Sequence, residues 1–156
     1  MSDNAEDPRK AGEMPKINGL FESALFVEEL PRARDFYLRV LGLQMIQESD
    51  VGCVFMVAKG QLLLLVSAEK ATVPSKTPGG EVPACLSRQG GSLGAGHIAF
   101  GVAEADVDGW RNCLNRNGVE VLSEVVWERG ARSLYFRDPD GHLVELATPG
   151  LWGLGW

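Results

Sequence analysis

The chemistry of this sequence gathers around Glu145, which follows a turn of recognisable composition. In Asp138-Pro139-Asp140-Gly141, Asp138 suits the first turn position and Pro139 presets φ at the next. Gly141 tolerates the left-handed conformation that closes the loop. In the strand that should follow, Leu143, Glu145 and Ala147 share one face, while His142, Val144 and Leu146 take the other. A carboxylate on an apolar face is costly to desolvate unless something positive meets it. Glu22 and His97 each head a strand pattern whose same-face positions are Ala24 and Phe26, and Ala99 and Gly101. An imidazole and two carboxylates are a donor set for a divalent metal. His97 and His142 are the two histidines of the chain. His142 lies an odd number of residues from Glu145, so it is expected on the opposite side, as a solvent-facing turn residue. The metal set is therefore Glu22, His97 and Glu145. Singly, His97 reads as a core histidine and Glu22 as an edge carboxylate paired with a Lys or Arg; their coincidence at equivalent strand positions favours a metal. Ser133 and Tyr135 alternate onto one face of the neighbouring strand and would form a polar wall for substrate. Arg129 and Arg132, just before and at the start of that strand, are candidates to pair with an anionic substrate, against the alternative of solvated surface arginines.

The elements that must position these residues repeat. A strand over 17–27 leads into a helix with Pro31 in its first turn and an apolar stripe at Ala33, Phe36, Tyr37, Val40 and Leu41, stopped by Gly42. Strands are expected over 43–49, 52–58 and 61–67. The order returns as a strand over 97–102, a helix over 104–117 stopped by Gly118, and strands over 119–126, 132–137 and 142–148. Both halves thus spell β-α-β-β-β. The first strands superpose with a shift of 97 − 22 = 75, which lays Glu22 over His97. The last strands superpose at Gly60 and Gly141, a shift of 81, which lays Phe55 over Phe136 and Leu64 over Glu145. The expected fold is α+β: two βαβββ modules, 17–67 and 97–149, whose pseudo-twofold packing would bring Glu22, His97 and Glu145 towards one point. Residues 68–96 carry Pro74, Pro78, Pro83 and Gly90-Gly91 and show no clear element, so they read as a long connection, either a plain linker or partly a cover over a site.

Composition narrows the function classes. The chain has 156 residues, 45% of them hydrophobic, with a formal net charge of −6. That charge argues against nucleic acid or an acidic membrane as partner. No apolar run approaches the roughly 20 residues of a membrane span. Residues 1–16 are polar, without a hydrophobic signal region, and are expected to be a disordered tail of a cytoplasmic protein. Cys53, Cys85 and Cys113 are expected to be reduced and structural.

Several stretches resemble the vicinal oxygen chelate superfamily, which includes glyoxalase I, bleomycin-resistance proteins, fosfomycin-resistance thiol transferases and extradiol ring-cleaving dioxygenases. They are Ala24-Leu25-Phe26-Val27-Glu28-Glu29-Leu30 with Phe36-Tyr37 and Val40-Leu41-Gly42-Leu43, then Gly96-His97-Ile98-Ala99-Phe100, then Tyr135 to His142 with Glu145. The resemblance implies paired βαβββ modules, with curved mixed sheets around a concave metal-site cavity, and ligand positions that fall on Glu22, His97, Leu64 and Glu145. Leu64 stands where glyoxalase I enzymes place an acid, which leaves three protein donors. Dioxygenases and fosfomycin enzymes have His where this chain has Glu22. Ala24 stands where fosfomycin enzymes carry a hydroxyl, and a C-terminal arginine they use has no counterpart. The oxygen-rich set should suit Mn²⁺, Fe²⁺ or Mg²⁺ at least as well as Zn²⁺, with Ni²⁺ also a candidate. The implied function is a metalloenzyme that chelates neighbouring oxygens of a small substrate, with Glu22, Glu145 and Tyr135 catalytic and Ser133, Tyr135 and Arg132 binding substrate. A lyase or isomerase is favoured, and a dioxygenase or fosfomycin-type thiol transferase is an alternative. So is a metal-free bleomycin-type binding protein with Trp127, Trp152 and Trp156 lining its groove, or a scaffold with a vestigial site. The resemblance also implies a homodimer, and the apolar segment 150–156 is one that a monomer gains little by exposing.

Overall fold

The computed structural model describes residues 17–86 and 94–153, so the expected tail 1–16 and Trp156 lie outside the described residues. The first module runs β1 (Glu22–Val27), α1 (Leu30–Arg39), β2 (Gln44–Glu48), β3 (Gly52–Ala58) and β4 (Gln61–Ser67). After two short strands, β5 (Ser75–Thr77) and β6 (Gly80–Val82), the second module runs β7 (His97–Gly101), α2 (Val107–Arg116), β8 (Ser123–Val126), β9 (Arg132–Arg137) and β10 (Leu143–Ala147). The fold is α+β, with two four-stranded sheets of matching order, β1-β4-β3-β2 and β7-β10-β9-β8. In each, the first and last strands pair in parallel and the hairpins pair antiparallel.

The register carries the repeat to the level of single residues. Glu22 pairs with Leu62 and His97 with Leu143; the shifts are again 97 − 22 = 75 and 143 − 62 = 81. Ala24 pairs with Leu64 as Ala99 pairs with Glu145. Leu64 therefore holds in the first sheet the place Glu145 holds in the second. Phe55 and Phe136, the other superposed pair, are both fully buried.

Each helix covers one side of its sheet. Ala33 and Tyr37 of α1 and Val107 and Leu114 of α2 are buried, and the apolar side chains on the helix-bearing sides merge into one core. That core joins Leu25, Val27, Tyr37 and Phe55 of the first module to Phe100, Leu114, Leu134 and Phe136 of the second. Each fully buried Leu or Phe contributes about 1.5–3 kcal/mol by leaving water. Sharing the helix-bearing sides leaves the opposite sides outward: Glu22, Ala24, His97, Ala99 and Gly101 are all exposed.

The turn between β9 and β10 clasps the two modules. Asp138 accepts the backbone N–H groups of Asp140 and His142 on Oδ1, and Gly141 adopts φ +83°. Its Oδ2 accepts the hydroxyl of Tyr37 at 3.0 Å, deep in the other module. Asp140 accepts the Glu28 N–H just ahead of α1, where a carboxylate is favoured by the exposed amides. Burial pushes the Asp138 carboxyl above its usual range, against the opposing pull of these donors.

Three local expectations are corrected. His142 is not a solvent-facing turn residue but is only 5% exposed. Its Nδ1 accepts the Gly96 N–H at 2.7 Å and its Nε2–H donates to the Phe26 carbonyl at 2.9 Å, so one nitrogen ties down the entry to β7 and the other reaches across the module boundary to β1. The connection 68–96 is not without structure: a 3₁₀ turn spans Lys70–Thr72, and β5 and β6 form a hairpin with Ser75 opposite Val82. Residues 119–122 are not strand, although Val119 and Val121 still pack against the core. Among the described residues no helix is long and apolar enough to cross a membrane.

Candidate metal centre

His97 and Glu145 meet because β7 and β10 are parallel neighbours and each presents the same parity of residues to the side away from the helices. The imidazole Nε2 lies 3.2 Å from Glu145 Oε2. Nδ1 lies 3.0 Å from the Leu143 carbonyl, which can only accept, so Nδ1 carries the proton. A neutral ring then turns the Nε2 lone pair towards a carboxylate oxygen. Two acceptors at that distance are held together by a cation between them, a proton or a metal ion.

The donor set fits a divalent ion. Nitrogen and oxygen donors each about 2.0–2.2 Å from one ion, at bond angles between square and tetrahedral, stand about 2.9–3.4 Å apart. The observed separation falls in that window. The Nδ1–H bond to a backbone carbonyl is also the support that orients ligating imidazoles. His97 is about half exposed while the Glu145 side chain is 6% exposed, so the pair opens to solvent through the imidazole. Tyr135, directly opposite Glu145 in the β9–β10 register, donates its hydroxyl to Glu145 Oε1 at 2.9 Å. Burial, reinforced by that bond, raises the phenol above its ordinary range, so Tyr135 remains a donor at neutral pH.

The chain does not bring Glu22 to this pair. Among the described residues no group of three His, Cys, Asp or Glu side chains is placed to hold a metal ion. Glu22 heads β1 in the other sheet and is exposed, with Leu62 opposite it in the register. The chain thus carries the His97–Glu145 pair and, separately, the Glu22 carboxylate.

Two expected substrate contacts are directed elsewhere. Arg132 shares its strand face with Leu134 and Phe136, the helix-bearing side, not with Tyr135. Its guanidinium pairs with Glu124, which Arg111 also holds at 2.6 Å. Hydrogen bonds from Arg132 first, then Arg111, keep the Glu124 carboxyl below its usual range. Arg132 is therefore removed from the candidate substrate residues. Ser133 has the expected parity but is fully buried, and its Oγ accepts the indole N–H of Trp127 at 2.9 Å. Trp127 lies over Ser133 and is itself partly exposed, so the indole rather than the hydroxyl is the accessible group. The six-residue spacing between a Trp and a Ser flanking a turn was the available signal, and it is a weak one.

Two βαβββ modules of matching sheet order, with an imidazole and a carboxylate side by side on an outer face, match one known family. Residues 19–146 match the model of the Glyoxalase/Bleomycin resistance protein/Dioxygenase superfamily, and the chain belongs to that superfamily. It is 29% identical over 136 residues to the metallothiol transferase FosB of Staphylococcus haemolyticus, covering 86% of each chain. Its structure resembles the lactoylglutathione lyase of Agrobacterium tumefaciens, with a TM-score of 0.77 and 28% identity over 90% of this chain and 100% of that one. It also shares its fold with the fosfomycin resistance protein FosX of Listeria monocytogenes, at a TM-score of 0.63 and 24% identity, covering 88% of this chain and 98% of that one.

Proposed function

We propose that this chain is one subunit of a homodimeric divalent-metal enzyme that acts on a small substrate through two neighbouring oxygens, in a thiol-dependent transferase or lyase reaction. The observation that carries the reading is the 3.2 Å approach of His97 Nε2 and Glu145 Oε2 with the ring tautomer already fixed. Thiol chemistry is favoured because a thiol stands in the names of both the metallothiol transferase and the lactoylglutathione lyase. The ligands are His97 and Glu145 with Glu22 of the partner subunit. Two outward sheet faces and a Glu22 carboxylate apart from the His97–Glu145 pair support that assignment. Exposed Leu122, Val126 and Trp152 give the chain apolar surface that a second copy would cover. The free thiols of Cys53, Cys85 and Cys113 support a cytoplasmic setting.

When bound, the metal supplies Lewis-acid stabilisation of the negative charge that develops on a substrate oxygen. The residues supply the rest. His97 offers an oriented lone pair, and Glu145 offers one carboxylate oxygen while Tyr135 holds the other. Glu22, exposed at the head of its strand, is the more accessible carboxylate and, when released from ligation, would serve as proton shuttle. Leu64 contributes no donor, which leaves room for both substrate oxygens.

Elemental analysis of the purified protein, followed by turnover assays with α-oxoaldehyde–thiol adducts and with an epoxide plus thiol, tests the reading. Expected are about one metal per chain and activity in one of these assays. Mixing E22A and H97A variants, each unable to hold metal, should restore about a quarter of the wild-type metal content, because half the dimers are mixed and each has one intact site. Wild-type protein that holds no metal would favour the binding-protein alternative.

A further inference from the structure

We infer that Tyr135 is a positioning residue that restricts Glu145 to one ligating oxygen. The inference rests on the metal centre proposed above. A carboxylate can bind a metal through one oxygen or through both. Here the two oxygens of Glu145 have separate partners: Oε1 accepts the Tyr135 hydroxyl at 2.9 Å, and Oε2 faces His97 Nε2 at 3.2 Å. Tyr135 stands directly across the antiparallel pair from Glu145, so backbone register holds the phenol in place. The Glu145 side chain is only 6% exposed, so little water can replace the phenol at Oε1. Two-oxygen binding would have to turn the carboxylate out of the orientation in which Oε1 meets Tyr135 and Oε2 meets His97, at a cost to the Tyr135 bond.

The same ring also limits the second ligand. The Tyr135 and His97 rings stack with centroids 6.5 Å apart and planes at 28°. With Nδ1–H tied to Leu143 the imidazole is oriented in its plane, and the Tyr135 ring lies alongside it. Tyr135 thus keeps a coordination position from being closed by the protein's own carboxylate, which a substrate binding through two oxygens requires.

The test counts water on bound Mn²⁺ by proton relaxation, alongside Mn²⁺ affinity by calorimetry. A six-coordinate ion with three protein donors keeps about three waters, so Y135F should lower the relaxation enhancement per bound Mn²⁺ by about one third as Oε1 takes a position. Affinity should stay equal or rise. In E145Q, which has a single acceptor oxygen, adding Y135F should leave the water count unchanged. This comparison also separates the effect from general loosening of the fold. Wild-type binding with the same water count in Y135F overturns the role of Tyr135 alone. Wild-type protein that binds Mn²⁺ no better than H97A overturns the metal centre and this inference together.

Discussion

Replacing His142 with Ala should unfold the clasp between the modules without touching the metal pair. The imidazole is 5% exposed and makes two bonds to backbone groups far away in sequence, the Gly96 N–H and the Phe26 carbonyl. Truncation leaves both groups without their partner, each costing about 1–3 kcal/mol when buried, and both bonds here are only partly shielded. A net loss of about 2–4 kcal/mol follows, a large share of the 5–15 kcal/mol by which domains are stable. At about 3 °C per kcal/mol for a chain of this length, the thermal midpoint should fall by about 6–12 °C. H142N should recover about half of the loss, since its carboxamide oxygen can take the Gly96 N–H but cannot reach Phe26. Urea unfolding followed by circular dichroism at fixed protein concentration measures both variants. H97A, at a half-exposed position, is the control: stability within about 0.5 kcal/mol of wild type, metal lost. A loss below about 0.5 kcal/mol in H142A would refute the reasoning, as would greater metal loss there than in H97A.

Other perturbations test the remaining parts. D138A leaves the buried Tyr37 hydroxyl and two backbone N–H groups without an acceptor, and should cost about 2–4 kcal/mol in the same unfolding assay, against about 1 kcal/mol for Y37F. Arg132→Ala should leave substrate KM unchanged in whichever assay shows turnover, because its guanidinium is held by Glu124 on the helix-bearing side. The Glu124 carboxyl is held below its ordinary value of 4.5, so its stabilising effect is full above that pH and is lost as pH falls through the depressed value. The wild-type advantage over E124Q should therefore shrink on acidification below about 4.5, read from thermal midpoints across a pH series.

Strand parity made much of this molecule legible. The shifts of 75 and 81 between the halves come from the sequence, and the β1–β4 and β7–β10 registers reproduce both. His97 beside Glu145 follows from parity plus parallel pairing. Arg132 was equally legible: it lies an odd number of residues from Tyr135, so its opposite face was already written. The placement of Glu22 was not, because local patterns do not say whether a module's outer face closes on its own chain or on another. His142 was hidden for a different reason. Its partners are backbone atoms 46 and 116 residues away, and a main-chain acceptor leaves no mark in side-chain type.

The clasp is one-sided, and this gives an otherwise symmetric chain a direction. The helices superpose with a shift of 107 − 30 = 77, which lays Tyr37 over Leu114; both are fully buried, but only the tyrosine carries a hydroxyl. The Asp138 turn likewise superposes on the plain Lys59-Gly60 turn, which has no carboxylate to offer. Key and lock therefore sit in different halves. A polypeptide assembled from two first halves would have two locks and no key. One assembled from two second halves would bury two keys against leucine. Duplicates that diverge in this way can no longer substitute for each other, and a half that meets its own copy is penalised where a half that meets its counterpart is held.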